Sequence, residues 1–204
     1  MPKRTRARDV QAFVAENQAW IQKTRASFAE KHPPEPFRLP VRVELPAIER
    51  SFGIIYQPRS DARTVRYRVS GDILRLSGKT GDDAACVQAL KRWLAATAKE
   101  HFEPRLRGLS AETGNSFKRI RVAGQKTCWG SHSTTGTLSI NYCLLFLTPG
   151  LLRYLMIHEL CHAQHMNHSR RFWRLVGRFE PRYRTLDKQL SDSWKQIPTW
   201  VGLY

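Results

Sequence analysis

Apolar positions recur at helical spacing near the start of this chain. Val10, Phe13, Val14, Trp20, Ile21 and Phe28 predict a helix over residues 8–31. Pro33, Pro34 and Pro36 close it and read as a linker. The period then falls to two. Val65, Tyr67 and Val69 alternate with Arg66 and Arg68, the pattern of a half-buried strand, and strands are expected over 52–57, 62–70 and 73–77. Ser70-Gly71-Asp72 joins the last two as a hairpin turn. Val87, Leu90 and Leu94 restore the helical period over 83–102, and strands are expected over 118–122 and 136–147. A strongly apolar helix follows over 149–166, with Leu151, Leu152, Leu155, Met156 and Leu160 as its core residues. Thr148 is its N-cap and Pro149 suits its first helical position. A basic helix over 170–179 comes next. Residues 181–204 read as a last helix and an aromatic tail, with Trp194, Trp200 and Tyr204 available to pack.

The order helix, strands, helix, strands, helices predicts an α+β fold with one small mixed or antiparallel sheet. At 204 residues the chain suits one domain with appended helices. The expected division is an N-terminal helix and linker over 1–36, a main domain over 37–180, and a packed C-terminal helix and tail over 181–204. The basic start over 1–8 is followed by no apolar signal core, and no run approaches the ~20 apolar residues of a membrane span. A cytoplasmic protein with no membrane partner is the expectation. Cys86, Cys128, Cys143 and Cys161 form no CxxC pair, which excludes a zinc ribbon. Cys161 reads as a small core residue. The formal net charge of +17 implies affinity for polyanions, including nucleic acid and nucleotides, or else a solvated basic face.

The apolar helix carries the chemistry. Its residues His158-Glu159-Leu160-Cys161-His162 form an HExxH pattern. Histidines four apart on a helix share one face, about 6 Å apart along the axis, so both imidazoles reach one ion. Glu159 can lie beside that ion without binding it and take a proton from a metal-bound water. Three protein ligands and one open position make a catalytic zinc site, with one zinc ion per chain. Buried His, Glu and His in an apolar helix are costly unless metal or hydrogen bonds satisfy them.

Two histidines compete to be the third ligand. On an unbroken helix His165 lies about 10 Å along the axis from His158, too far to share one ion easily. The third ligand must therefore come from chain that has left the helix. Asn167 suits a left-handed helix stop, after which His168 can fold back onto the metal and Ser169 can cap the next helix. His168 is favoured, and His165 becomes a supporting or substrate-side residue. The spacing from His162 to His168 matches the metzincin pattern. However, His165 stands at the glycine position and no methionine follows Met166, so a metzincin is not expected.

Trp129-Gly130-Ser131, Leu138-Ser139-Ile140-Asn141-Tyr142, Thr148-Pro149, the HExxH run, and Asn167-His168-Ser169 with Phe172-Trp173 occur in that order. Together they resemble the YgjP-like metal-dependent hydrolases, relatives of the WLM and SprT-like zinc peptidases. The likeness covers roughly residues 9–180. It implies a zincin-like domain, with the sheet packed on the HExxH helix. It also implies His158, His162 and His168 as zinc ligands and Glu159 as general base or acid. The family usually has cysteine after its WGS run, where this chain has His132.

The leading expectation is a zinc-dependent metallopeptidase. The alternatives are a metal-dependent nucleotide pyrophosphatase with an arginine-rich phosphate site, and a nucleic-acid-associated zinc module. His165, His132, Trp129, Asn141, Tyr154, Arg170 and Arg174 are the candidates for substrate or supporting contacts. Tyr142, Tyr154 and Arg153 are the candidate oxyanion donors. The strand leading into the zinc helix is expected to pair with an extended peptide substrate.

Overall fold

A computed structural model of the chain describes residues 7–31 and 37–202. The basic start, the linker prolines and Tyr204 lie outside the described residues. The chain forms two compact units, Met1–Phe37 and Arg38–Tyr204.

In the first unit the expected single helix is interrupted. Helix α1 (Ala7–Glu16) and helix α2 (Gln18–Lys31) meet at Asn17. The Asn17 side-chain amide donates to the Phe13 carbonyl, which also accepts from the Asn17 main-chain N–H, and the Asn17 carbonyl accepts from Ile21. The apolar residues Val10, Phe13, Val14 and Trp20 are exposed.

The second unit is α+β, and it contains two small mixed sheets where one was expected. The first has β1 (Arg42–Leu45), β2 (Arg50–Pro58), β3 (Val65–Ser70) and β4 (Ile73–Gly78) in the order β1-β2-β4-β3. The pair β2/β4 is parallel and the others antiparallel. Ser70 pairs with Ile73 across the expected hairpin, and Gly71 supplies its positive φ of 58°. The second sheet has β5 (Arg119–Ala123), β6 (Gly130–His132) and β7 (Thr137–Asn141) in the order β5-β7-β6. The separation follows from helix α3 (Asp83–Thr113), whose 31 residues span about 46 Å and carry the chain clear of the first sheet. Asp82 caps it through the Ala85 amide, and Gly114 closes it with a positive φ of 68°. Helix α3 overruns its expected end at Phe102 because Pro104 is tolerated inside it. Phe102, Leu106 and Leu109 are buried on either side of the proline, and that burial offsets the roughly 3 kcal/mol an interior proline costs.

Three further boundaries differ from the pattern reading. Strand β7 stops at Asn141, whose side-chain oxygen accepts from the Cys143 amide and turns the chain into a 3-10 segment, Tyr142–Phe146. Strand β6, which sequence pattern did not suggest, pairs antiparallel with β7 and forms an edge of the sheet. The strand leading into the apolar helix is therefore central, and β5 and β6 are the two edges of this sheet. Helix α4 (Pro149–Cys161) has the expected Thr148 cap but ends at His162, well before Asn167. Among the described residues the one non-glycine with positive φ is Glu49, so Asn167 makes no left-handed stop. Tight 3-10-type bonds, Ala163 to Leu160 and Gln164 to Cys161, turn the chain out of the helix instead.

Helix α5 (Arg170–Phe179) starts at Ser169, whose hydroxyl accepts from the Phe172 amide, and α6 (Tyr183–Asp192) follows. The tail packs back: Trp194 stacks on Trp129 at 3.9 Å, and Trp200 and Val201 are buried. Leu151, Leu152, Leu155, Met156, Leu160 and Cys161 of α4 are all buried. Among the described residues no helix is long and apolar enough to cross a membrane.

Candidate metal centre

Helix α4 reaches the surface of the core with one polar corner. His158 and Glu159 lie in its last turn and His162 at its cap, with Glu159 buried. The chain after His162 turns back, so that His168 comes to face His158 with their Nε2 atoms 3.0 Å apart. One ring nitrogen from each of His158, His162 and His168 lies within 4.8 Å of the other two. That spread suits a tetrahedral ion with metal–nitrogen distances of about 2.0–2.1 Å.

The hydrogen bonds fix which nitrogens face inward. The Tyr154 hydroxyl donates its only proton to Asp187 Oδ1 at 2.7 Å. Its oxygen can then only accept from His158 Nδ1, 3.5 Å away, a long contact that still favours the Nδ1–H tautomer. The His158 Nε2 lone pair is left facing His168. His162 Nδ1 donates to the His165 carbonyl at 2.9 Å, which likewise frees its Nε2. Two lone pairs aimed into one space repel each other unless a cation lies between them. Phe172 forms the floor, stacked on His162 at 4.5 Å and edge-on to His158 and His168. Trp173 stacks on His168 at 5.6 Å.

Electrostatics agree with a cation-binding corner. Burial, followed by the neighbouring His162 and His168, pushes the His158 imidazole down to about 3. Burial also lowers His162, against the raising effect of its bond to His165. Both rings are therefore neutral and ready to ligate at ordinary pH. Burial pushes the Glu159 carboxyl up to about 8. Its Oε2 is buried with no partner among the described residues, a polar atom that calls for a ligand. Burial and the bond to Asp187 raise Tyr154, which keeps its proton.

The other predicted residues have different places around the cluster. His165 enters through its main-chain carbonyl, and its imidazole is not part of the cluster. His132 lies on β6, where its Nδ1 bonds the Glu159 carbonyl at 2.7 Å and ties the edge strand to α4. Trp129 and Asn141 hold the scaffold. Trp129 Nε1 donates to the Leu190 carbonyl, and the Asn141 side-chain amide donates to the carbonyls of Gln125 and Cys128. Arg153 is engaged by Glu112 at 2.7 Å, and Tyr142 packs beside Gly124. Arg170 and Arg174 line a cavity that shares Trp173 with the histidine cluster.

Sequence pattern missed one contributor, Asp187, and read Gly130 as a place of close backbone approach without naming what it approaches. Asp187 arrives from α6, 33 residues after Tyr154, and no local signal marks it. Gly130 lets β6 approach Glu159: a Cβ there would lie 2.8 Å from Glu159 Oε1 and 2.9 Å from its Cγ. Its place in the Trp129-Gly130-Ser131 run was the available hint.

The model of the family described as YgjP-like, metallopeptidase domain, matches residues 1–193. No curated protein matches the chain. Among solved structures, the metallopeptidase zymogen abylysin of Pyrococcus abyssi is similar at 24% identity and a TM-score of 0.42, over 46% of this chain and 94% of that one. The metallopeptidase zymogen jannalysin of Methanocaldococcus jannaschii is similar at 20% identity and a TM-score of 0.39, over 43% of this chain and 91% of that one.

Proposed function

This chain belongs to the YgjP-like family of metallopeptidase domains, and from that premise we propose that it is a zinc-dependent peptidase. In this reading His158, His162 and His168 hold one zinc ion and Glu159 is the general base. The coarser class, a metal-dependent hydrolase, follows from the family itself.

One observation carries the finer reading. Three imidazoles converge within 4.8 Å beside a buried glutamate whose Oε2 has no partner. Zinc bound there supplies a Lewis acid that lowers the pKa of a water to about 7 and polarises a carbonyl. The chain's own residues do the rest. Glu159, whose carboxylate form a cation held beside it would favour, would accept the proton of the attacking water and return it to the leaving amine. Asp187 and Tyr154 keep His158 in the tautomer that ligates, and the His165 carbonyl does the same for His162. Strand β6 offers its edge to an extended peptide beside Glu159. Metal content and turnover on unfolded protein substrates test this. Glu159→Gln should keep its zinc and lose turnover, and full activity in that variant would sink the assignment.

A second reading is kept by the arginines at 170, 174 and 184 near the cluster. The same centre could hydrolyse a phosphoanhydride, with guanidinium groups holding phosphate. Nucleoside triphosphates assayed beside unfolded proteins separate the two reactions.

A further inference from the structure

A cavity of about 610 Å³ shares a wall with the histidine cluster. Arg170, Trp173, Arg174, Tyr183, Arg184 and Asp187 line it. Trp173 is the shared wall: its ring centroid is 5.6 Å from those of both His158 and His168. Its other neighbour is Tyr183, stacked at 5.3 Å and 18°. A ladder of rings, His168 to Trp173 to Tyr183, thus runs from the cluster along the cavity.

The charges around this ladder are unbalanced. Three guanidinium groups face one carboxylate, and that carboxylate already accepts the Tyr154 hydroxyl. Arg184 is turned toward the Tyr183 hydroxyl at 3.1 Å. Arg170 and Arg174 have no ion pair and no side-chain hydrogen bond among the described residues. Lying one turn apart on α5, they repel each other, and a bound anion removes that cost. A guanidinium also supplies a planar donor fork that matches a carboxylate. The distance is right for a peptide. Extended chain advances about 3.3–3.6 Å per residue, so a group within about two residues of the cleaved bond reaches past Trp173.

We propose that this cavity is a substrate subsite for a peptide carboxylate, held by Arg170 and Arg174 against the Trp173–Tyr183 aromatic wall. The carboxylate comes either from a Glu or Asp side chain or from the C-terminus of the peptide. The inference rests on the peptidase reading for its substrate class and on the cavity for its chemistry.

The test uses matched peptides that differ only in Glu against Gln, each made with a free or an amidated C-terminus. Binding to the full-length Glu159→Gln protein is followed by anisotropy of a labelled peptide. Cleavage by the zinc-loaded wild type is measured in parallel as kcat/KM. One carboxylate source should improve binding and kcat/KM by about 10- to 100-fold over its neutral isostere. The side-chain and C-terminal arms identify which source it is. Arg170→Gln with Arg174→Gln should erase that preference. Carboxylate-dependent binding without cleavage supports the subsite and overturns the peptidase reading. Cleavage indifferent to charge, or a preference that survives the double substitution, overturns the subsite and leaves the peptidase reading standing. Nucleoside triphosphate displacing the labelled peptide far more strongly than acidic peptides do also overturns it, and assigns the cavity to phosphate.

Discussion

The two imidazoles on α4 and the one on the loop after it are held in different ways. His158 and His162 sit at the end of a buried helix, and each has its Nδ1 tied by a hydrogen bond, to Tyr154 and to the His165 carbonyl. His168 is exposed, and its Nδ1 has no partner among the described residues. Aromatic packing on Phe172 and Trp173 positions it instead. The helix half is thus fixed by directional bonds and burial. The loop half rests on stacking, a contact less directional than a hydrogen bond.

The sharpest way to break this comparison is at the helix, where the chemistry is assigned. Glu159→Gln should cut turnover by about 10²- to 10⁴-fold while metal content, read by atomic spectroscopy, stays at one per chain. Loss of the metal in that variant would make Glu159 a ligand and dissolve the distinction between holding and reacting groups.

The same residue predicts a pH effect on stability in protein stripped of metal. The folded Glu159 carboxyl, near 8, lies above its ordinary value of 4.5. Between those values the unfolded chain has released the proton and the folded chain still binds it. Stability therefore falls as pH rises through this window, by on the order of 5 kcal/mol. His158, depressed to about 3, acts in the opposite sense, losing stability as pH falls from about 6.5 toward 3. Denaturant titrations of wild type and Glu159→Gln isolate the first effect. Parallel pH profiles for the two proteins would mean that Glu159 is not buried as described.

Within the ligand set, Tyr154→Phe keeps the ring and removes the oxygen facing His158. Zinc affinity, measured by competition with a chromogenic chelator, should fall about 10- to 100-fold, and Asp187→Asn should weaken it in the same direction. An unchanged affinity would show that the helix histidines need no such support. The smallest effect belongs to the loop. Trp173→Ala removes one stacking partner of His168 and should weaken zinc by only about 2- to 10-fold. A larger loss there than in Tyr154→Phe would invert the comparison.

Local chemistry was legible wherever the partners are close in sequence. The Thr148–Pro149 start of α4, its apolar face, the Ser169 cap of α5 and the Ser70–Ile73 hairpin all depend on residues within a few positions of one another. The ends of elements were less legible. Pro104 sits inside α3 because burial on both sides outweighs its local penalty, and β7 stops at Asn141 because one side-chain oxygen caps the next turn. The loop after α4 shows the limit most plainly. The expected left-handed residue at Asn167 is absent, and the turn begins at His162, where the ring bonds a carbonyl three residues ahead.

By itself the sequence determined the α+β class and the shared helical face of His158 and His162, because helical periodicity and side-chain spacing are properties of neighbouring residues. Only the tertiary structure decided the division into two sheets, the edge position of β6, the approach of Gly130 to Glu159, and the arrival of Asp187 behind Tyr154. Each of these joins segments distant along the chain. Such contacts are set by burial and packing of the whole core, for which no stretch of neighbouring residues carries a signal.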